Sequence, residues 1–264
     1  MSKPLYVVTM KVVPKTEEIR FDPNTKTVDR SKATNEINQA DKNALEEALK
    51  LKERYGGRVL VLSMGPPFFD PFLRIALAMG ADDAILISDR VLAGSDAYVT
   101  SMVLARAIQK IGGATLVLCG EESSDGSTGQ VPPGIAAWLG YSQATYVSKI
   151  LDLDLERGRV VVRRTIKGGY EDIELPIPAV LSIELGINTP RFPDFRRKKW
   201  AEKEYKLTIW SAADLGLKPD EVGLIGSPSR VRELVEIKPP ERARRIIENI
   251  DEGVEEFLRI LKSI

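Results

Sequence analysis

The sequence predicts a doubly wound α/β fold, a mostly parallel sheet with helices on both faces. Three observations carry this expectation. Short apolar runs without polar alternation recur through the first 140 residues. Such runs are typical of strands buried on both sides. Amphipathic stretches of helical period separate them. Glycines and short turns, rather than long polar loops, close each helix.

Leu5 to Val8 is the first strand. Lys15 to Asn38 is polar, with a turn-like Asp22-Pro23-Asn24. A helix follows, because Ala44, Leu45, Ala48 and Leu49 fall on one face. Asn38 is placed to cap it, Asp41 suits its first turn, and Gly56-Gly57 ends it. Arg58 to Met64 is a second buried strand, turned by Gly65-Pro66-Pro67. Asp70-Pro71 reads as the N-cap and first position of a helix that Gly80 stops. Ala84 to Ile87 is a short strand. Ser95 or Asp96 caps a helix to Lys110, ended by Gly112-Gly113, and Leu116 to Cys119 is another apolar strand.

Beyond Gly140 the pattern changes. Ala144–Leu151, Val160–Thr165, Tyr170–Leu175 and Ala179–Ile183 read as strands. Turns at Arg157-Gly158 and Gly168-Gly169 make a β-meander of three of them. Pro176 and Pro178 place the end of the set at a sheet edge or loop. Asn188 to Trp200 reads as a long exposed loop, and Pro239 to Ile264 as helical. Ile246, Ile247, Ile250, Val254, Phe257, Leu258 and Leu261 form one apolar stripe there. Residues 1–230 are expected to form the α/β domain, and the stripe within 231–264 either folds back or grips a partner.

Composition removes several functions. The 264 residues carry 38 basic and 38 acidic side chains, so charge gives no reason to expect a nucleic-acid partner. No apolar run approaches the roughly 20 residues a membrane span needs, and no signal peptide is evident, so a cytoplasmic location is expected. There is no histidine, which excludes His-dependent nucleophiles and His metal sites. One cysteine, Cys119, excludes an internal disulfide and a cysteine cluster. Any catalysis here would belong to a bound cofactor.

Gly120 to Pro133 follows a buried strand and precedes a helix. Ligands in open α/β sheets bind beyond the carboxyl ends of strands, and this loop is rich in small residues and hydroxyls. It is neither a P-loop nor a Gly-x-Gly-x-x-Gly fingerprint, so a nucleotide would be held in another way.

Asn38 with Ala44-Leu45-Glu46-Glu47-Ala48, then Ser63-Met64-Gly65-Pro66, resembles the small (β) subunit of electron-transfer flavoproteins. So do Ala76 to Asp82, the Asp125–Val131 loop and Pro190-Arg191-Phe192-Pro193. Order and spacing agree over nearly the whole chain. The resemblance implies a Rossmann-like domain, of the adenine nucleotide alpha hydrolase-like kind, paired with a larger alpha subunit that holds a flavin. It implies an adenine nucleotide on this chain. In the classical branch that is a structural AMP. In the electron-bifurcating branch it is FAD, which takes a hydride from NADH and splits the electron pair. Asp125-Gly126-Ser127-Thr128-Gly129-Gln130-Val131 is closer to the second branch, departing from it at Ser127 and Pro132. FAD is therefore expected, with AMP the alternative. A non-redox nucleotide module resembling universal stress proteins competes with both.

By the same resemblance, Thr9 and the backbone of Met64 meet the adenine, and Asn38, Gln39 and Asp41 border the nucleotide. Glu122, Ser123, Asp125, Gly126, Ser127, Thr128, Gly129, Gln130 and Val131 surround its ribose and phosphates. Phe195 stands where the family places an apolar anchor for a dehydrogenase or quinone-reducing partner. Arg196 and Arg197, with Lys198 and Lys199, would steer an acidic surface. The C-terminal stripe corresponds to the arm that grips the alpha subunit.

Overall fold

The computed structural model describes residues 3–15, 20–22, 27–29, 34–230 and 246–262. The chain divides into two compact units, Met1–Arg232 and Glu233–Ile264.

The first unit opens with β1 (Leu5–Thr9), β2 (Val12–Pro14), β3 (Arg20–Asp22), β4 (Thr27–Asp29) and β5 (Asn35–Ile37). It continues through α1 (Gln39–Tyr55), β6 (Arg58–Met64), α2 (Asp70–Met79), β7 (Asp83–Ile87), α3 (Ala97–Ile111), β8 (Leu116–Gly120) and α4 (Val131–Leu139). Then come β9 (Ser142–Asp154), β10 (Arg159–Ile166), β11 (Gly169–Pro176), β12 (Ala179–Ile183), α5 (Phe195–Lys203), β13 (Thr208–Trp210) and the short α6 (Gly223–Gly226). Among the described residues nine strands form one sheet in the order β11-β10-β9-β12-β8-β1-β6-β7-β13. From β9 through β13 in that order every neighbouring pair is parallel.

Successive side chains of a strand point to opposite faces. Tyr6 and Val8 of β1 join Leu45 of α1 and Leu73 and Leu77 of α2 in one core. Val7 enters the other core, with Val99 and Val103 of α3 and Ile135 of α4. A strand with both faces covered must be apolar throughout, which is why β1, β6 and β8 show no alternation. β10 and β11 run antiparallel at the edge, and Arg163 pairs with Asp172 directly across them at 2.7 and 2.9 Å.

Several expectations change. Ala179–Ile183 is not at a sheet edge: all five residues are buried, parallel between β8 and β9. Pro176 ends the edge strand β11, and the chain then re-enters the sheet interior. The long loop expected over 188–200 is helical from Phe195, because Asp194 accepts the Arg197 N–H at 2.8 Å and caps α5. Its start is not loose either. Arg191 forks onto Glu46 of α1 at 2.8 and 2.9 Å, and Asn188 and Asn43 bond to each other. α2 begins one residue earlier than expected, on a 3-10 turn over Pro67–Phe69, with Asp70 bonded to Arg74 rather than capping. The polar stretch after Lys15 contains short strands, β3 with β4 and β5 with β2.

In the second unit, α7 (Ile250–Leu261) is capped by Asn249, which accepts from Asp251 and Glu252. The expected helix is shorter at its front: 246–249 precede it, and 231–245 lie outside the described residues. None of its residues is buried, and Ile250, Val254, Phe257, Leu258 and Leu261 are all exposed. Among the described residues no helix is long and apolar enough to cross a membrane.

Candidate functional site

β1 is followed on one side by β6 and β7, and has β8 on the other. The strand order therefore reverses at β1, and the loops leaving β1 and β8 diverge there. Such a switch point leaves a crevice beyond the carboxyl ends of the strands. Here it is a cavity of about 540 Å³, lined at those ends by Thr9, Met64 and Gly120.

Asn38 and Asp41 build its floor. Both are buried at the start of α1, three residues apart and so on one helix face. Asn38 occupies the N-cap position but its side chain does not cap the helix. Instead its Nδ2 donates to the Glu122 carbonyl at 2.8 Å, and its Oδ1 accepts the Ser124 N–H at 3.2 Å. Asp41 accepts the Lys11 N–H at 2.8 Å and the Gly120 N–H at 3.0 Å. One carboxylate thus ties the end of β1 to the end of β8. Burial pushes its pKa up to about 6 against the pull of those hydrogen bonds.

This sets a pH dependence. A carboxyl whose folded pKa is raised favours folding while protonated, so its contribution is full below about pH 4 and lost as pH rises through about 6. Asp41→Asn should remove that slope, seen by comparing urea denaturation of the two proteins from pH 4 to 7. Equal slopes in both would show that Asp41 does not titrate there.

The segment 121–131 wraps the opposite side. It is anchored by the Glu121 N–H to the Ile183 carbonyl at 2.9 Å and by the Leu185 N–H to the Glu121 carboxylate at 3.2 Å. Ser123 accepts the N–H groups of both Gly126 and Ser127 at its carbonyl. Ser127 and Gly129 both adopt positive φ, +45° and +61°, which lets the chain double back into α4. Lys11 reaches across from β1, its Nζ 2.6 Å from Asp125 and 3.2 Å from Ser123 Oγ.

Of the residues expected from sequence, Thr9, Asn38, Asp41, Met64, Glu122, Ser123, Asp125, Gly126, Thr128, Gly129 and Val131 line this cavity. Gln39, Ser127 and Gln130 do not. Gln39 faces outward and bonds Glu36 at 3.3 Å, because Asn38 and Asp41 take the inward face of the first turn. Ser127 turns its hydroxyl back to the Ser123 carbonyl. Gln130 lines an adjoining groove of about 460 Å³ between α3 and α4, beside the edge-to-face pair Tyr98 and Trp138.

Sequence reasoning missed Lys11 and the start of α3, where Ser95, Asp96 and Thr100 also line the cavity. Both follow the carboxyl ends of parallel strands, which was the available signal. Asp96 accepts from the Val99 N–H at 3.0 Å and from Ser229 at 2.6 and 3.0 Å. Burial opposes its charge, but these hydrogen bonds together hold it below the usual carboxylate range. Cys119 lies at the floor, where burial pushes its thiol up to about 12 and leaves it unreactive.

The residues fit an adenine nucleotide. Leu62, Met64, Phe69, Leu92 and Leu104 give apolar walls for a flat base, while Lys11, Ser123 and Thr128 stand at a polar end. Among the described residues no three metal-ligating side chains cluster.

Phe195 is 81% exposed at the start of α5, and Phe192 nearby is 94% exposed. Arg196 is exposed too, but Arg197 is turned inward: its guanidinium donates to the Leu77 and Ala81 carbonyls at the end of α2.

The family model described as the electron transfer flavoprotein domain matches residues 25–215. The electron transfer flavoprotein subunit beta of Thermoanaerobacterium thermosaccharolyticum is 42% identical over 260 residues, 97% of each chain. Protein FixA of Azotobacter vinelandii is 40% identical, covering 93% of this chain and 88% of its own. The caffeyl-CoA reductase-Etf complex subunit CarD of Acetobacterium woodii is 41% identical, covering 85% of both. With a matching domain over most of its length and relatives that align nearly end to end, the chain belongs to the electron transfer flavoprotein family, among its beta subunits and FixA proteins.

Proposed function

We propose that the cavity holds FAD, and that the chain pairs with an alpha subunit to pass electrons between NADH or a dehydrogenase and an acceptor by electron bifurcation. The observation that supports it most is the convergence of Thr9, Asn38, Asp41, Met64 and the 122–131 loop on one crevice at the switch point of the sheet. Thr9 and Met64 border the base, and the 122–131 loop borders ribose and phosphates. Bound FAD would supply acceptance of an electron pair and its release one electron at a time. The adjoining groove shares Ala97 with the cavity and gives a ligand longer than a mononucleotide further surface. AMP, as a structural group, is the alternative occupant.

Anaerobic titration of the complex with NADH distinguishes the two. Bleaching of the flavin absorbance is expected. A spectrum that NADH leaves unmoved contradicts the bifurcating reading.

Phe195 is read as the anchor for the electron-exchange partner. An exposed aromatic on a capped, pinned helix start loses little freedom on docking. Phe195→Ala should slow electron exchange with a dehydrogenase by at least about tenfold, the loss typical of an interface anchor. Its nucleotide content should be unchanged. An unaltered exchange rate would remove Phe195 from the interface. Lys198, Lys199 and Arg196 would add salt-sensitive steering, while Arg197 serves the fold.

A further inference from the structure

We propose that Lys11 is the phosphate-binding cation of the cavity, and that it exchanges Asp125 for the phosphate of an entering ligand. This rests on the adenine-nucleotide reading above. Among the residues lining the cavity, Lys11 carries the cationic side chain, facing the carboxylates Asp41, Asp96, Glu122 and Asp125. Among the described lining residues, a phosphate entering without Lys11 would meet carboxylates and no other cation. Asp41 and Asp96 are occupied by backbone and hydroxyl donors, so neither competes for the ammonium. Asp125 does, at 2.6 Å.

Part of the local backbone is already engaged and unavailable to an anion. α4 starts at the loop, but Pro132 and Pro133 of its first turn have no N–H, and the Gly134 N–H is bonded to the Gln130 carbonyl. The Gly126 and Ser127 N–H groups are both bonded to the Ser123 carbonyl. The helix start therefore keeps its dipole but lacks two of the N–H donors that such a start usually supplies.

Lys11 is also built to move only at its tip. Its N–H is held by Asp41 at 2.8 Å and its carbonyl by the Asn38 N–H at 2.9 Å, so the main chain is fixed to α1. Its side chain is 46% exposed against 13% for Asp125, so when the pair parts the ammonium stays hydrated while the carboxylate needs a new donor, which a ribose hydroxyl supplies. The ion pair draws the 121–131 loop toward β1. A phosphate seated between Lys11 and Ser123 takes over the ammonium and releases Asp125 toward the ribose.

The test is calorimetric titration of the complex with its alpha subunit, freed of nucleotide at this site, using AMP and adenosine as probes. Lys11→Gln should weaken AMP by about 10- to 100-fold, the value of a charge-assisted hydrogen bond, and leave adenosine unchanged. Lys11→Arg should recover most of the AMP affinity. Asp125→Asn, which removes the competitor, should raise the ratio of AMP to adenosine affinity above that of the wild type. The salt dependence of AMP binding should flatten in Lys11→Gln. Equal weakening of AMP and adenosine would make Lys11 a structural residue, and unchanged AMP binding would remove it from the site; either overturns the proposal. Wild type that binds AMP, FAD and adenosine not at all would overturn the nucleotide reading along with it.

Discussion

In a Gly120→Ala chain the folded state is expected to lose about 3 kcal/mol, the upper part of the range for overpacking a closed site. Gly120 ends β8 in full burial, directly under the first turn of α1. A Cβ there would lie 2.4 Å from Asp41 Oδ1 and 2.8 Å from both the carbonyl carbon and the Cβ of Ala40. Two of those three atoms belong to a helix start held by other bonds and cannot yield. The carboxylate could turn away only by leaving the Lys11 and Gly120 N–H groups unpaired. Any relief must therefore lift α1 from β8, carrying Asn38 away from the 122–124 segment it clamps. The variant should melt well below wild type, and the purified complex should retain little nucleotide at this site. Gly169→Ala, with nothing within 4 Å of its Cβ, is the control and should be nearly neutral. A Gly120→Ala protein with wild-type stability and nucleotide content would mean that the contact between β8 and α1 is looser than described.

Arg191→Ala carries the second large effect. The Glu46 side chain is 6% exposed, and Arg191 meets it with two guanidinium bonds at 2.8 and 2.9 Å. The same guanidinium reaches Glu53 at 2.5 Å, and that contact, first among its causes, holds the Glu53 carboxyl below the usual range. Removing the cation strands a buried carboxylate with the Arg191 N–H, at 3.1 Å, as its remaining donor from this segment. The cost of an uncompensated buried charge, lessened by that surviving bond, is about 3 kcal/mol. For a chain of this size that is a fall of about 6–12 °C in Tm. Arg191→Lys keeps the charge but not the fork, and should fall between. Because Arg191 pins the segment leading into α5, the alanine variant should also slow partner exchange through Phe195. A Tm within a degree of wild type would show that Glu46 finds other partners.

The fold was legible where one physical cause acts on consecutive residues. The centres of β1, β6 and β8 run apolar without alternation because both faces are covered, and that alone indicated a parallel sheet. β12 has the same unbroken pattern, Ala-Val-Leu-Ser-Ile, yet the prolines before it pointed to an edge. Proline there marks where the chain leaves β11, not where β12 pairs. α5 was hidden because its basic run buries only Ala201, leaving Asp194 as its main signal. In the site, Asn38 and Asp41 could be placed from helix spacing, but which bonds they make depends on β8, eighty residues away. Lys11 escaped notice for the same reason: a lysine after a strand looks like solvent-facing charge until the 121–131 loop closes over it. Arg197 looked like steering charge, but α2 happens to end beneath it with carbonyls to fill.

Whether this chain's own cavity carries FAD is decided by its nucleotide content. The direct measurement is to co-express the chain with its alpha subunit, purify the complex, release the nucleotides and identify them by chromatography. Two FAD per heterodimer is the predicted result. One FAD with one AMP would contradict FAD at this site while keeping the cavity as a nucleotide holder, and a complex with no nucleotide beyond the alpha subunit's flavin would contradict the account of the cavity itself.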